Sequence, residues 1–375
     1  MATDPEDIPE SDRIEGAPHP REAEALIGQD AAEARFLEAY TSDRMHHGWL
    51  ITGPRGVGKA TLAWRIARFL LATPADDGGM FAAPPPNTLD ISPDHPVARR
   101  LMALSEPGLF LLRRPWDEKA KRLKGDITVD EVRKLKGFFA LSASDGGRRV
   151  VIVDVADEMN TSAANALLKL LEEPPAGAVL LLISHQPSRL LPTIRSRCRE
   201  LRLGPLAPEA LARVMEGLEE TPSPEDTLRL NELAAGSAGE ALRLTHLGGL
   251  SLYAELVAIF GHRDFDRPRA LKLAESAVGK ANADRFELIL RLVDLFLARL
   301  ARHGAGFVPA AEAAPGEATC LARLSPHPHA ARAWASLQQE LSARAGHGRA
   351  VNLDPAALIL DMVFRINDTA ARQAA

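Results

Sequence analysis

Through its first 205 residues the chain alternates between short, unbroken apolar runs and stretches whose apolar residues recur at helical spacing. The runs are GWLIT at 48–52, GLFLL at 108–112, VVIV at 150–153 and VLLLI at 179–183. None alternates apolar with polar, so each predicts a strand buried on both faces, as in a parallel sheet. The helical stretches fall between them. Residues 21–42 are rich in Ala, Glu and Leu, and 61–72 read TLAWRIARFLLA. Residues 160–173 predict a helix capped by Asn160 and stopped by Pro174-Pro175. Thr128 with Glu131 three residues on predicts a capping box. Residues 73–96, dense in Pro, Gly and Asp, predict an irregular insertion. Strands alternating with helices imply a parallel α/β sheet.

The pattern changes at Gly204-Pro205. Residues 206–247 predict short helices broken by Ser-Pro and Gly turns, and from about 265 the chain is helix and loop. Residues 283–302 form a long amphipathic stretch. Asp354 and Pro355 open a last helix as its cap and first helical residue. There are no internal repeats.

Composition narrows the class. The chain has 375 residues, 46% hydrophobic and 25% charged, enough for two or three domains of an ordinary globular protein. A net charge of −5 excludes a uniformly basic nucleic-acid coat. Two cysteines, Cys198 and Cys320, are too few for a disulfide framework or a four-thiolate zinc site, and suit a reducing compartment. The acidic, Pro-rich start has no apolar core of a signal peptide and predicts a disordered leader over 1–22. No apolar run approaches the roughly 20 residues that span a bilayer. These features predict a cytoplasmic protein with no membrane partner.

The candidate chemistry begins at ITGPRGVGKATL, residues 51–62. Gly53, Gly58 and Lys59 match G-x-x-x-x-G-K, and Gly56 adds a third glycine. Such a loop aims backbone N–H groups at phosphate oxygens, and its lysine supplies a point charge. The next residue normally lends Mg²⁺ a hydroxyl, but here it is Ala60. Thr61 is no simple substitute, because one step along a helix turns the side chain by about 100°. In VVIVDVADEM, Asp154 stands where a metal-shell acid belongs, while Val155 replaces the acid that would polarise water. Asp157 and Glu158 fall past the strand end, where solvent is expected to reach them.

The loop, NALLKLLEEPP at 165–175 and LPTIRSRC at 191–198 occur in the right order. Together they resemble the clamp-loader branch of the AAA+ ATPases, over about 26–250. The resemblance implies an α/β P-loop domain with a parallel sheet at 23–205, a small helical lid domain at 206–262 and a C-terminal helical oligomerisation collar at 263–375. It implies a ring that opens a sliding clamp and places it on primed DNA as part of DNA polymerase III. The implied partners are other clamp-loader subunits (of the ATPase gamma/tau type and of the delta type), the sliding clamp and primer-template DNA. It assigns Arg197, between Ser196 and Cys198, as an arginine finger offered to a neighbour's ATP. It assigns Gly53, Gly56, Gly58, Lys59, Thr61, Asp154 and Ser184 to a weak or vestigial nucleotide site, with Ser184 as first-sensor hydroxyl. In active members a Gly-Ser-x-Arg supplies a second-sensor arginine, where this chain has Gly239. Residues 73–148 hold no cysteine, so the zinc module of some relatives is not expected. The expected ligand is ATP or ADP without a competent Mg²⁺ site, and whether a nucleotide is held stays open here. A subunit that lends its finger but does not hydrolyse ATP fits these departures. A competent AAA+ ATPase is the alternative; a small-molecule P-loop kinase would not need the Ser-Arg-Cys motif.

Other features carry less. Arg195 and Arg199 are assigned to a solvated face of an extended segment. Glu172-Glu173 read as structural or interfacial. The basic stretch 113–136 also holds acids, which favours a solvated surface over DNA contact. Lys169 could face DNA or a neighbour. His46 and His47 read as surface residues.

Overall fold

The computed structural model describes residues 10, 12–14, 17–42, 44–73, 86–140, 147–217, 221–262 and 264–374. Residues 1–9 of the expected leader and 74–85 of the expected insertion lie outside them. The described chain separates into two units, Met1–Val214 with Ser237–Gly239, and Met215–Gly236 with Glu240–Ala375.

The first unit is built on β1 (Gly48–Thr52), β2 (Leu109–Arg113), β5 (Arg149–Asp154), β6 (Ala178–Ser184) and β7 (Arg199–Arg202), in the order β2-β5-β6-β1-β7. Every neighbouring pair is parallel. A two-residue antiparallel hairpin, β3 (Trp116–Asp117) and β4 (Arg122–Leu123), lies apart. Four of the five sheet strands are the four apolar runs. The fifth, β7, reads RELR and was not expected; at a sheet edge it needs only Leu201 buried.

Because successive side chains of a strand point to opposite faces, each run feeds two cores. Trp49, Ile51, Val150, Ile152, Val179, Leu181 and Ile183 join α1 (Asp30–Thr41), α2 (Lys59–Ala72) and α3 (Pro96–Met102). Leu50, Val151, Val153, Leu180 and Leu182 join α4 (Val129–Ala140), α5 (Thr161–Glu172) and α6 (Pro192–Arg195). Asn160 caps α5 as expected, its side chain accepting from the Ala163 N–H at 2.9 Å. α4 starts directly after Thr128, and the Glu131 carboxylate pairs with Lys134 at 2.7 Å. α1 is shorter than the expected 21–42: turns occupy 20–28.

Part of the expected leader departs from that reading. His19 is buried, with Nε2 3.1 Å from both Glu10 and Asp12. Glu10 also meets Arg21 at 2.8 Å and Arg113 at 3.1 Å, and the Trp64 indole N–H donates to Asp12. Acids that read as disorder-promoting have found distant basic partners, which hold their carboxyls below the usual range against the opposing effect of burial.

α7 (Pro208–Glu216) ends the first unit's run, and α8 (Pro224–Ala234), α9 (Ala238–His246), α10 (Gly249–Gly261), α11 (Arg267–Glu275), α12 (Ala283–Gly304), α13 (Glu317–Leu324), α14 (Pro328–Ala350) and α15 (Pro355–Ala374) follow. Asp354 caps α15 as expected, accepting from the Ala357 N–H. Among the described residues no single helix is long and apolar enough to cross a membrane; α9 and α10 are jointly apolar, but they bend by 81° and α10 is buried through Leu252, Tyr253, Leu256 and Phe260.

The second unit encloses a buried ion pair. Arg299 on α12 donates Nε and Nη2 to the two oxygens of Glu317 at 2.6 and 3.1 Å, and Nη1 reaches Glu232 at 3.2 Å. The Tyr253 hydroxyl and the Ala313 N–H also donate to Glu317, at 2.6 and 2.7 Å. Burial and the adjacent Glu317 charge push the Tyr253 hydroxyl well above its ordinary pKa. Glu317→Ala therefore strands a buried guanidinium and two donors, and we expect a loss of about 3–5 kcal/mol, measured by urea unfolding followed on Trp334. A loss below about 1 kcal/mol would mean that water replaces the carboxylate at little cost.

Candidate nucleotide site and arginine corner

β1 ends at Thr52, the loop follows, and α2 starts at Lys59. Gly53, Gly56 and Gly58 all take positive φ, at 142°, 78° and 99°, so the phosphate-loop turn is made as expected. The buried Gln29 amide fixes it from outside, donating to the Val57 and Gly204 carbonyls at 3.1 and 2.8 Å.

Lys59 sits inside this loop, 3% exposed. Its ammonium donates to the loop's own Gly53 and Pro54 carbonyls, at 2.7 and 2.5 Å. Burial pushes its pKa down to about 8; Asp157 and Asp154 oppose that, and Arg55 adds to it. Ala60 and Thr61 are half-buried on the first turn. Asp154 ends β5, nearly buried, beside the buried Val155.

The acids beyond the strand are half-buried, and each also has a partner within the fold. Asp157 accepts from the His185 backbone N–H at 3.0 Å. Glu158 pairs with Arg114 at 2.8 Å, and burial raises its pKa. That pair also commits one arginine of the basic stretch internally, while Lys121, Arg133 and Lys134 pair with acids on the exposed surface.

Ser184, expected as the first-sensor hydroxyl, lies within the buried strand β6. Ser184 is fully buried, its Oγ without a hydrogen-bond partner among the described residues, in the parity of Leu180 and Leu182 on the face away from α2. His185 is the residue whose titration the loop lysine affects. Burial first, then the Lys59 charge, push its pKa down to about 4, so the imidazole is neutral at pH 7. Apolar β6 runs into SHQ, and only the alternation counted from its core residues would have drawn attention to His185.

Ser237–Gly239 closes the loop's outer side. The Gly239 N–H donates to the Gly56 carbonyl and the Ser237 hydroxyl to the Arg55 carbonyl, both at 2.9 Å. A Cβ on Gly239 would lie 2.9 Å from the Gly56 Cα, so no side chain, arginine included, fits at this contact. The residues present do not fit a magnesium-bound triphosphate: Ala60 and Val155 bring neither hydroxyl nor acid, and the lysine is ligated by its own loop. Among the described residues no cluster of three or more His, Cys, Asp or Glu is placed to hold a metal ion.

The Ser-Arg-Cys corner lies at the other end of β1. α6 covers 192–195, so Arg195 sits in a helical turn and not in an extended segment, and β7 begins at Arg199. The Arg199 guanidinium lies 5.6 Å from the Trp49 ring centre. The Arg197 backbone presses on β1: a Cβ on Gly48 would come within 3.1 Å of the Arg197 carbonyl. The Arg197 side chain is half-exposed, with Nη2 2.9 Å from Glu172 and Nη1 donating to the Thr193 carbonyl at 3.2 Å. Burial pushes the Cys198 thiol up to about 12, which makes it inert. His47 is half-buried and not a plain surface residue; its Nε2 hydrogen-bonds the Leu171 carbonyl of α5 at 2.8 Å, and it stacks on His46. Lys169 is exposed.

Residues 28–207 match the family described as DNA polymerase III, delta subunit. The chain is 42% identical over 205 residues to DNA polymerase III subunit delta' of Pseudomonas aeruginosa, covering 54% of this chain and 56% of that protein. It is 36% identical over 211 residues to the Escherichia coli subunit of the same name, covering 56% and 58%. DNA polymerase III subunit tau of Salmonella typhimurium is 30% identical over 273 residues, 69% of this chain and 38% of that protein. The chain thus spans a little over half the length of the delta' relatives it matches. Among solved structures, a gamma subunit-related protein of Thermotoga maritima aligns over 89% of this chain and 99% of its own, at 18% identity and a TM-score of 0.43.

The buried Lys59 makes a measurable contribution. Its folded pKa, about 8, lies below the ordinary 10.5. Between those values the unfolded chain binds more protons, so stability rises with pH; below about pH 8 the full penalty is present. We expect the unfolding free energy of the wild type, relative to Lys59→Met, to grow between pH 7 and 10. A difference flat across that range would mean that Lys59 is not desolvated.

Proposed function

We propose that the chain is a clamp-loader subunit of the delta-prime kind, on the strength of the match of residues 28–207 to the family described as DNA polymerase III, delta subunit. It helps to place the sliding clamp on primed DNA, alongside gamma/tau-type and delta-type subunits. It hydrolyses no ATP itself and lends Arg197 to the ATP of a neighbouring subunit. Residues 206–262 serve as the lid and 263–375 as the collar through which the ring assembles.

The separation of loop and finger carries this reading. Both are tied to β1, one to each end. Five parallel residues at about 3.3 Å each put them about 16 Å apart, more than an arginine side chain spans. Arg197 therefore cannot serve its own loop, and a guanidinium at the surface is positioned for another subunit's phosphate. There it neutralises charge on the γ-phosphoryl as the bond breaks. Any nucleotide held at Lys59 stays unhydrolysed, for want of the hydroxyl and the acid.

Two measurements test this. The purified chain alone shows no magnesium-dependent ATPase above background; robust turnover abolished by Lys59→Ala would overturn the reading. In the assembled complex, Arg197→Ala lowers DNA-stimulated ATPase roughly tenfold or more while the complex elutes intact. An unchanged rate removes the finger role.

A further inference from the structure

We propose that Glu172 is the positioning residue for Arg197, holding the guanidinium in the orientation in which it meets the neighbour's nucleotide. The proposal rests on the finger reading above and adds a residue to it.

Three contacts build the corner. The Arg197 backbone is fixed against β1 at Gly48, where there is room for a hydrogen but not for a methyl group. The C-terminal turn of α5 is fixed independently, through the bond from His47 to the Leu171 carbonyl and through Leu171, buried in the sheet's core. Glu172 projects from that fixed turn and takes Nη2 of Arg197 at 2.9 Å, while the Thr193 carbonyl takes Nη1 at 3.2 Å. Two acceptors on rigid elements thus hold one planar fork, and no other hydrogen-bond partner of the guanidinium is present among the described residues. A guanidinium carries five N–H donors, so the fork keeps donors in reserve for a phosphate.

Exposure decides between holding the arginine ready and locking it away. Arg197 is 38% and Glu172 43% exposed in their side chains. In water such a pair is weak, near the bottom of the range for surface ion pairs. It narrows the orientations of a long, flexible side chain without competing seriously with a phosphate. Less orientational freedom is then lost when the transition state forms. Lys169, one turn back on α5, is exposed and makes no ion pair with Glu172 among the described residues, so the carboxylate is not shared.

The test uses the assembled complex with DNA-stimulated ATPase. We expect Glu172→Ala to lower kcat three- to tenfold with KM for ATP within twofold of wild type, and with unchanged assembly and Tm. Glu172→Gln, which keeps an acceptor oxygen, recovers most of the lost kcat; a purely structural role would leave kcat alone and move Tm. If Arg197→Ala slows the complex but Glu172→Ala does not, the positioning role is overturned and the finger role stands. A faster Glu172→Ala complex also overturns it, since the pair would then be a restraint. If Arg197→Ala itself has no effect, the finger reading fails and takes this role with it.

Discussion

The pairing of β1 between β6 and β7 is the constraint on which the rest of the first unit depends. A strand hydrogen-bonded on both edges and buried on both faces cannot shift along its neighbours by one residue without turning its whole core set to the wrong side. Trp49 and Ile51 are committed to the face of α2, Leu50 to the face of α5. That commitment fixes where the chain leaves each end. At the C-terminal end it turns into the glycine loop; at the N-terminal end Gly48 lets the Arg197 backbone lie against it. Loop and Arg197 are therefore held at a set distance by one rigid element, and that separation is a property of the sheet.

The glycine loop is held by many contacts within the fold. Its backbone groups are used by the fold itself: Gln29 reaches Val57 and Gly204, Gly239 reaches Gly56, Ser237 reaches Arg55, and Lys59 closes on Gly53 and Pro54. A buried ammonium without a phosphate must find other acceptors, and two loop carbonyls supply them with Asp154 and Asp157 nearby. Gly239 suits this position because a Cβ there would lie 2.9 Å from the Gly56 Cα.

What the sequence made legible follows from where the information is local. Four strands announced themselves as apolar runs, and the loop and the Ser-Arg-Cys corner as short motifs. β7 did not, since an edge strand with one buried leucine looks like a charged linker. α1 was read too long because its Ala, Glu and Leu composition extends back into turns that are set by distant contacts. The site's supporting residues were hidden for the same reason. Gln29 acts on Gly204, and His47 on Leu171, across more than a hundred residues. A motif aligns residue names, whereas the sheet sorts them by parity, and parity puts Ser184 in the core and leaves His185 to the electrostatics of Lys59. Glu10 and Asp12 read as disorder until Arg21, Arg113 and His19 were placed beside them.

The two units use the same carboxylate–guanidinium chemistry under opposite conditions. Around Arg299 both partners are buried, and each oxygen of Glu317 takes more than one donor. Burial keeps bulk solvent away from the pair, so opening it strands a charge, and its value is to fix where α12, α13 and α10 meet. Around Arg197 both partners face solvent and each makes a single contact with the other. Water can replace either at small cost, so the pair cannot hold the fold together. It can only bias the orientation of a side chain whose backbone is already fixed. A charge that has to be handed to another molecule must remain exchangeable, and solvent exposure keeps it so. On that ground the exposed pair, weak in stability terms, is the one suited to function, while the strong pair in the second unit is suited to architecture.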